Sequence, residues 1–306
     1  MSTAAAPMPA PIHSAARRPL PHDVLALARI EGRRLVLHPV FLAGVLLSVA
    51  FIAFVWTRPD PRSFGMLVSG YAVLPLSAAT LIAANQGALR SRRDNTEELY
   101  ASLPRRRSSR TAGQLLGLLW TLPVSGALLG GAYLLVSAQV FEGPRGGPIP
   151  VDGPTAVELA QGPLAVLALG AVGIALARIA PAAMAAVLLV IAGFVLELEL
   201  TYWIVGQQTV EGRSPAWVRW LVPMANDAVE TARPCPPGVS IPGGNPADCM
   251  SIELYHDVSG LAWHVACLAA VTGLAAAAAL VRSLRARASL VALIALVAVA
   301  TALAAG

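Results

Sequence analysis

Residues 90–110, RSRRDNTEELYASLPRRRSSR, decide how the rest of this chain is interpreted. They carry seven arginines and lie between two long apolar segments. A basic loop between two apolar spans is retained on the cytoplasmic side of a membrane. The stretch therefore predicts a membrane protein whose chain turns in the cytoplasm at this point.

The middle of this loop, residues 95–103, is predicted to form a short helix. Asn95 or Thr96 can cap it, and Glu97 and Glu98 fall in its first turn, where the helix dipole favours acids. The proline that follows ends it. A compact, charged helix held between two spans is suited to form a binding surface for a cytoplasmic partner.

The composition indicates a polytopic membrane protein. The chain has 306 residues, of which 56% are hydrophobic and 13% are charged, whereas soluble domains carry about 25% charged residues. The expected fold is therefore all-α, a polytopic transmembrane helix bundle. The net charge of +5 does not indicate nucleic-acid binding, because the arginines cluster at the ends of the apolar runs.

The absence of lysine excludes one source of energy within this chain. All 22 basic residues are arginine, and a phosphate-binding loop of the form G-x-x-x-x-G-K-[ST] requires a lysine. No zinc-protease, paired-cysteine or G-x-S-x-G motif is present either. We therefore expect no enzyme activity and no bound cofactor or metal, with any ATP and Mg²⁺ held by a separate subunit.

Apolar runs long enough to cross a membrane, about 20 residues each, follow a tail predicted to be disordered (residues 1–22). The predicted spans are residues 39–57, 64–84, 111–138, 155–177, 181–205 and 260–281. A weaker, alanine-rich seventh span is predicted within residues 286–306, at 288–305. With the N-terminus inside, sixteen of the 22 arginines fall on the inner side, which predicts a bacterial plasma-membrane protein with a cytoplasmic N-terminus.

Residues 23–37, DVLALARIEGRRLVL, are predicted to form an amphipathic helix on the inner membrane surface. Apolar residues there are spaced helically among Arg29, Glu31, Arg33 and Arg34. Two interpretations remain open and are compatible. The helix either contacts a cytoplasmic partner or anchors the chain to anionic membrane lipid.

The longest outer segment, residues 206–259, contains two cysteines with thirteen residues between them. Cys235 and Cys249 lie on the oxidising side, so a disulfide is predicted between them. Free thiols, or metal ligation together with His256, are the alternatives. The apolar residues 215–230 before them are expected to form one or two short helices.

Three polar groups near the outer ends of spans are weak candidates for a substrate path: Glu197, Glu199 and His264. Acids within a membrane are costly and commonly functional. The alternative is that the glutamates lie in the headgroup layer, where Glu158 is placed as well. His264 is more simply explained as a hydrogen-bonded side chain at the outer end of the bundle.

The chain resembles the ABC-2 type transporter permeases, the membrane subunits of type V ABC exporters, in their actinobacterial form. ARIEGRRLVLHPVFLAG (28–44) is similar to their connecting helix, and RRDNTEELYASLPRRRSSRTAGQLLG (92–117) looks like their coupling-helix loop. The long outer segment before LAWHVACL (261–268) fits the same pattern. The resemblance covers residues 23–285, a six-span core. The seventh segment departs from it, and whether the chain is a piece of a longer permease stays open.

This resemblance implies an ATP-driven exporter that moves an amphipathic small molecule, drug or lipid-like substrate outward by alternating access. It implies a dimer, homo- or heteromeric, of permeases with a separate ABC ATPase subunit, embedded in membrane lipid. The residues that would contact the ATPase are Arg92, Arg93, Asp94, Thr96, Glu97, Glu98, Leu99, Leu103 and Arg105. The connecting helix would contribute Arg29, Glu31, Arg33 and Arg34. A secondary transporter without an ATPase, and a membrane scaffold or signalling anchor, are the alternatives.

Overall fold

The computed structural model describes residues 21–57, 70–94, 107–137, 155–180, 182–196, 228–234, 250–256 and 258–281. In chain order its helices are α1 (Pro21–Val36), α2 (Pro39–Trp56), α3 (Leu74–Arg93), α4 (Arg107–Gly117), α5 (Thr121–Ser137), α6 (Ala156–Ile179), α7 (Ala183–Leu196) and α8 (Val258–Leu280). Single 3-10 turns, Tyr71–Val73 and Leu118–Trp120, precede α3 and α5. Residues 95–106 of the predicted coupling loop, the seventh segment and both glutamates of the substrate path lie outside these residues.

Within the described residues, five helical segments are long and apolar enough to cross a membrane. They are Pro39–Trp56, Tyr71–Arg90, Ser108–Leu135, Ala156–Ile179 and Ala262–Leu280. The shorter apolar helix α7, of fourteen residues, falls within the predicted fifth span, and residues 197–205 of that span lie outside the described residues. The structure therefore fits a membrane-embedded helix bundle.

Helix α6 lies at the centre of the bundle and packs against α3, α5 and α8. Small residues make this possible, because they let backbones approach closely. A Cβ added at Gly173 would collide with the main-chain oxygen of Leu81 in α3. A Cβ at Gly162 would lie 2.7 Å from a methyl of Leu129 in α5.

The helix ends alternate, as expected for spans joined in sequence. The last turns of α3, α6 and α8 meet in one apolar cluster that includes Ala88, Ala175 and Ala279. The start of α3, the last turns of α5 and the first half of α6 meet in another, which includes Val73, Leu129 and Val166. The first cluster lies at the end of the bundle where α2 and α4 begin. We call this end the arginine-rich end.

Local signals explain where the helices begin. His38 precedes α2, its Nδ1 accepts a hydrogen bond from the Val40 amide at 3.3 Å, and Pro39 occupies the first helical position. Helix α6 begins with a capping box of Thr155 and Glu158. Gly70, with φ 119°, turns the chain into the 3-10 turn before α3.

The outer segment departs from the all-α expectation. Ala228–Pro234 and Met250–His256 form an antiparallel pair of strands, in which Ala228 pairs with His256 and Pro234 with Met250. Residues 228–230, expected at the end of a short helix, therefore begin a strand. Threonine, valine, isoleucine and tyrosine in the two segments favour this conformation. The spanning bundle itself is helical.

Candidate functional site

The candidate site lies at the arginine-rich end, where the sequence places the contact with a cytoplasmic partner. Arg92, Arg93 and Asp94 close α3, and the Asp94 amide continues its ladder with a 2.9 Å hydrogen bond to the Arg90 oxygen. The side chains of Arg93 and Asp94 are exposed. The remaining predicted coupling residues are outside the described residues: Thr96, Glu97, Glu98, Leu99, Leu103 and Arg105.

Helix α1 is docked on the beginning of the third span. A Cβ added at Gly32 of α1 would collide with the indole ring of Trp120 and would lie 2.9 Å from the Gly117 oxygen. A Cβ at Gly117 would in turn lie 2.9 Å from the Gly32 nitrogen, and one at Gly113 2.8 Å from the Leu27 Cβ. This glycine-to-glycine contact means that α1 and α4 behave as one packed unit.

The docking also explains the position of Trp120. Its ring lies against Gly32 of α1, at the arginine-rich end of the bundle. Neither this contact nor the glycine crossing was predicted from the sequence. The signal in the sequence that could have indicated this contact is the presence of three glycines, at positions 32, 113 and 117, in α1 and α4.

The charged face of α1 points away from this contact. Arg29, Arg33 and Arg34 are exposed, while Glu31 is half-buried. A side-chain oxygen of Glu31 lies 3.7 Å from Arg34 Nη1. An ion pair between neighbouring turns with one exposed partner stabilises a helix by only a few tenths of a kcal/mol, roughly 0.3 to 0.5. The arginines are therefore available for a function other than holding α1 in place.

A cavity of about 840 Å³ opens between α1, α3 and α4, with α6 behind it. Its charged and polar lining includes Arg33, Arg34, Arg90, Arg93 and Arg110, with Glu31, Asp94, His38, Gln86 and Gln114. Arg93 and Asp94 of the predicted coupling set and Glu31, Arg33 and Arg34 of the connecting helix thus come together on one cavity. Arg29 is not part of this lining.

His38 lies in the wall of this cavity, just before the first span. Its burial, and secondarily the Arg90 guanidinium, lower its pKa below the ordinary value for histidine. The neutral ring is also the form whose Nδ1 accepts the capping hydrogen bond from Val40. Burial and the nearby Arg90 thus both favour the neutral form of His38 in the cavity wall.

Polar side chains tie the spans together behind the cavity. Asn85 Nδ2 donates a hydrogen bond to the Gly173 oxygen at 3.2 Å, and Arg178 Nη2 donates one to Gln114 Oε1 at 3.3 Å. Asn85 and Gln114, which mark the inner ends of two predicted spans, thus join helices. Bonds of this kind fix helix positions in a membrane.

The weak substrate-path candidates are separated from this site. His264 is buried in the first turns of α8, which begins at the opposite end of the bundle. Glu158 is buried in the capping box at the start of α6, where its Oε2 accepts a hydrogen bond from the Thr155 amide at 2.6 Å. Glu197, Glu199, Cys235 and Cys249 lie outside the described residues.

Metal chemistry has no support within the described ranges, where no group of three or more histidine, cysteine, aspartate or glutamate side chains could hold an ion. Searches among known proteins do not identify the chain. No protein-family model matches it, and no curated protein matches it significantly. Function must therefore be argued from the arginine-rich end itself.

Proposed function

We propose that this chain is the permease subunit of an ATP-driven exporter and that it works as a dimer with a separate ATPase. The observation that carries the proposal is the docking of α1 on α4. Residues 95–106 connect α3 to α4, so a partner that grips them pulls on α4 directly. Because α1 is packed on α4 through Gly32 and Gly117, the same movement reaches α1 and, through His38, the start of α2.

Several features support this proposal. Arginines are concentrated on the side that the chain would keep in the cytoplasm, where the ATPase is. The sequence has no lysine for a P-loop, which is consistent with ATP hydrolysis by a separate subunit. Inward- and outward-facing states require a bundle whose helices shift as units, and the α1–α4 pair is such a unit.

The first experiment is capture of the tagged full-length chain from its native membrane in mild detergent, followed by mass spectrometry. We expect a stoichiometric ATPase with a phosphate-binding loop. Scrambling residues 96–103 should remove it, whereas scrambling an equal length of the tail within residues 1–20 should not. A homo-oligomer without an ATPase contradicts the proposal and favours a secondary transporter or a scaffold.

Coupling is tested separately from assembly. Replacing Glu97 and Glu98 by arginine should leave the chain inserted in the membrane but uncouple ATP hydrolysis from export in reconstituted vesicles. Replacing Glu142 and Asp152, in the predicted outer loop between the third and fourth spans, by arginine is the matched control for two reversed charges. Export that stays at the wild-type rate in the Glu97 and Glu98 variant would remove the coupling role from this segment.

A further inference from the structure

The cavity at the arginine-rich end has an excess of positive charge. Five guanidinium groups line it, from Arg33, Arg34, Arg90, Arg93 and Arg110, against two carboxylates, from Glu31 and Asp94. Even if each carboxylate neutralises one arginine, three positive charges remain. Guanidinium groups donate paired hydrogen bonds to phosphate oxygens, so a phosphate is the complementary anion.

Beside its charged and polar groups, the cavity has an apolar part of its wall. Aliphatic side chains from three helices and the 3-10 turn line it: Leu35, Ala83, Ala84, Ala88, Leu118 and Ile174. Ile30 and Leu37 also line it but remain 50% and 59% exposed, respectively. A cavity with arginines beside an aliphatic wall fits a ligand that has an anionic head and hydrocarbon next to it, and it fits a free phosphate ion poorly.

The position of the cavity indicates where such a ligand comes from. It lies where the candidate spans α2 and α4 begin and α3 and α6 end, which is the depth of lipid headgroups if these helices cross a bilayer. Helix α1, with exposed Leu25 and Ile30 near its arginines, has the composition of a helix that lies in this layer.

We infer that the cavity between α1, α3 and α4 binds the headgroup phosphate of an anionic phospholipid from the adjoining leaflet. Arg33 and Arg90, from different helices, would hold the phosphate, and the exposed Ile30 and Leu37 would contact the acyl region. The bound lipid would fill the space between the docked α1 and the spans. The inference requires a membrane-embedded chain but no ATPase partner, so it can fail or hold independently of the proposed exporter function.

The test uses the purified full-length chain in nanodiscs of phosphatidylcholine with increasing phosphatidylglycerol. Native mass spectrometry after release counts the lipids that stay bound. We expect one phosphatidylglycerol per chain to be retained in preference to phosphatidylcholine. A basic side chain near an anionic lipid contributes enough that Arg33→Gln or Arg90→Gln should each reduce this preference about fivefold.

Arg29→Gln is the matched control, because Arg29 lies one turn from Arg33 on the same helix, is exposed, and is not part of the cavity lining. It should keep the wild-type preference. Equal losses in all three variants would show a general charge effect and overturn the assignment, as would equal retention of both lipids by the wild-type chain. The use of variants from two helices protects the test against one that fails to fold.

A second arm separates the lipid from a free anion. The wild-type chain with bound phosphatidylglycerol is exposed to inorganic phosphate, with sodium chloride at the same ionic strength as the reference. Retention that is equal in both salts supports the lipid assignment. Displacement by phosphate beyond that by chloride would overturn it and identify a site for a soluble anion.

Discussion

Asn85 of α3 donates a hydrogen bond from its side-chain amide to the main-chain oxygen of Gly173 in α6, across 3.2 Å. Both residues are buried, and the two helices are so close here that a Cβ on Gly173 would collide with the Leu81 oxygen. The hydrogen bond and the missing side chain depend on one another, since the amide reaches a backbone oxygen only when no side chain separates the helices. This contact holds the central helix at the back of the arginine-lined cavity.

Gly173→Ala should therefore destabilise the bundle, by about 2 kcal/mol, because the added methyl meets backbone rather than a flexible side chain. The measurement is the unfolding free energy in mixed detergent micelles. Gly126→Ala in α5 is the control, since no described atom lies within 4 Å of its added Cβ. It should be neutral or slightly stabilising, as alanine favours helix over glycine. Equal effects at the two sites would contradict the close packing.

Asn85→Ala should cost less, about 1 kcal/mol, as measured for other hydrogen bonds between helices in membranes. Removal of the amide also removes its Oδ1, a buried oxygen that has no partner within the described part of the chain. That second change offsets part of the loss. The same unfolding assay applies, and a loss larger than that of Gly173→Ala would show that the bond, rather than the close approach, dominates.

Replacement of Gly32 by valine should detach α1 from α4, because the new side chain meets the Trp120 ring and the Gly117 oxygen. Trypsin reports this directly, since α1 carries Arg29, Arg33 and Arg34 as cleavage sites. We expect cleavage at least several times faster than in the wild-type chain. Ala26→Val, on the exposed side of the same helix, should leave the rate unchanged. Protection equal to wild type in Gly32→Val would refute the docking.

Stability should fall on acidification because of His38. Its folded-state pKa is lowered by burial and by Arg90, so the unfolded chain binds the proton more readily than the folded one. Stability is therefore fully present above the ordinary pKa of histidine, about 6.5, and declines as the pH falls from there toward the lowered pKa.

Thermal unfolding between pH 8 and pH 5 measures this dependence. His38→Asn should flatten it, because asparagine still caps α2 but does not titrate. The groups around His38 on the cavity wall include Glu31, Arg33, Arg34, Arg90, Arg93, Asp94 and Arg110. A pH slope that persists in His38→Asn would assign the effect to another group.

The two outer cysteines should form a disulfide. Pro234 pairs with Met250 at the end of the strand pair. In the sequence, Cys235 directly follows Pro234, and Cys249 directly precedes Met250. A pair of cysteines next to a paired rung has a short span to bridge. Maleimide should label them only after reduction, and Cys235→Ser with Cys249→Ser should lower stability by about 3 kcal/mol. Labelling of both thiols without a reductant would exclude the disulfide.

Hydropathy predicted the spans well where helices are uniformly apolar. The predicted residues 39–57 and 155–177 nearly coincide with Pro39–Trp56 and Ala156–Ile179. The candidate span Tyr71–Arg90 extends six residues beyond the predicted end of the second span, 64–84, whose residues 64–69 lie outside the described part of the chain. The reason is physical: Asn85 lowers local hydropathy, yet its cost is offset by the bond to Gly173, a partner that only the folded structure supplies.

The candidate site was harder to predict because it depends on contacts between distant segments. Arg33, Arg34 and Arg93 were identified from charge and position, but their meeting on one cavity requires α1 to dock beside α3. That docking rests on Gly32, Gly117 and Trp120, which leave no periodic signal in the sequence. The strand pair did leave a signal in the sequence, namely the β-branched and aromatic residues of Ala228–Pro234 and Met250–His256. The glycine- and proline-rich stretch between the two segments favoured the interpretation as a loop.

The docking of α1 on α4 also sets an order for biogenesis. Gly32 leaves the ribosome before the first two spans are made, and its partners Gly117 and Trp120 follow only with the third. Until then α1 has no helix against which Gly32 can pack. It therefore stays undocked at the membrane surface while the first two spans are inserted. Completion of the arginine-lined cavity is thus an event of the third insertion, and nascent chains that stop earlier should carry an α1 that is still open to protease.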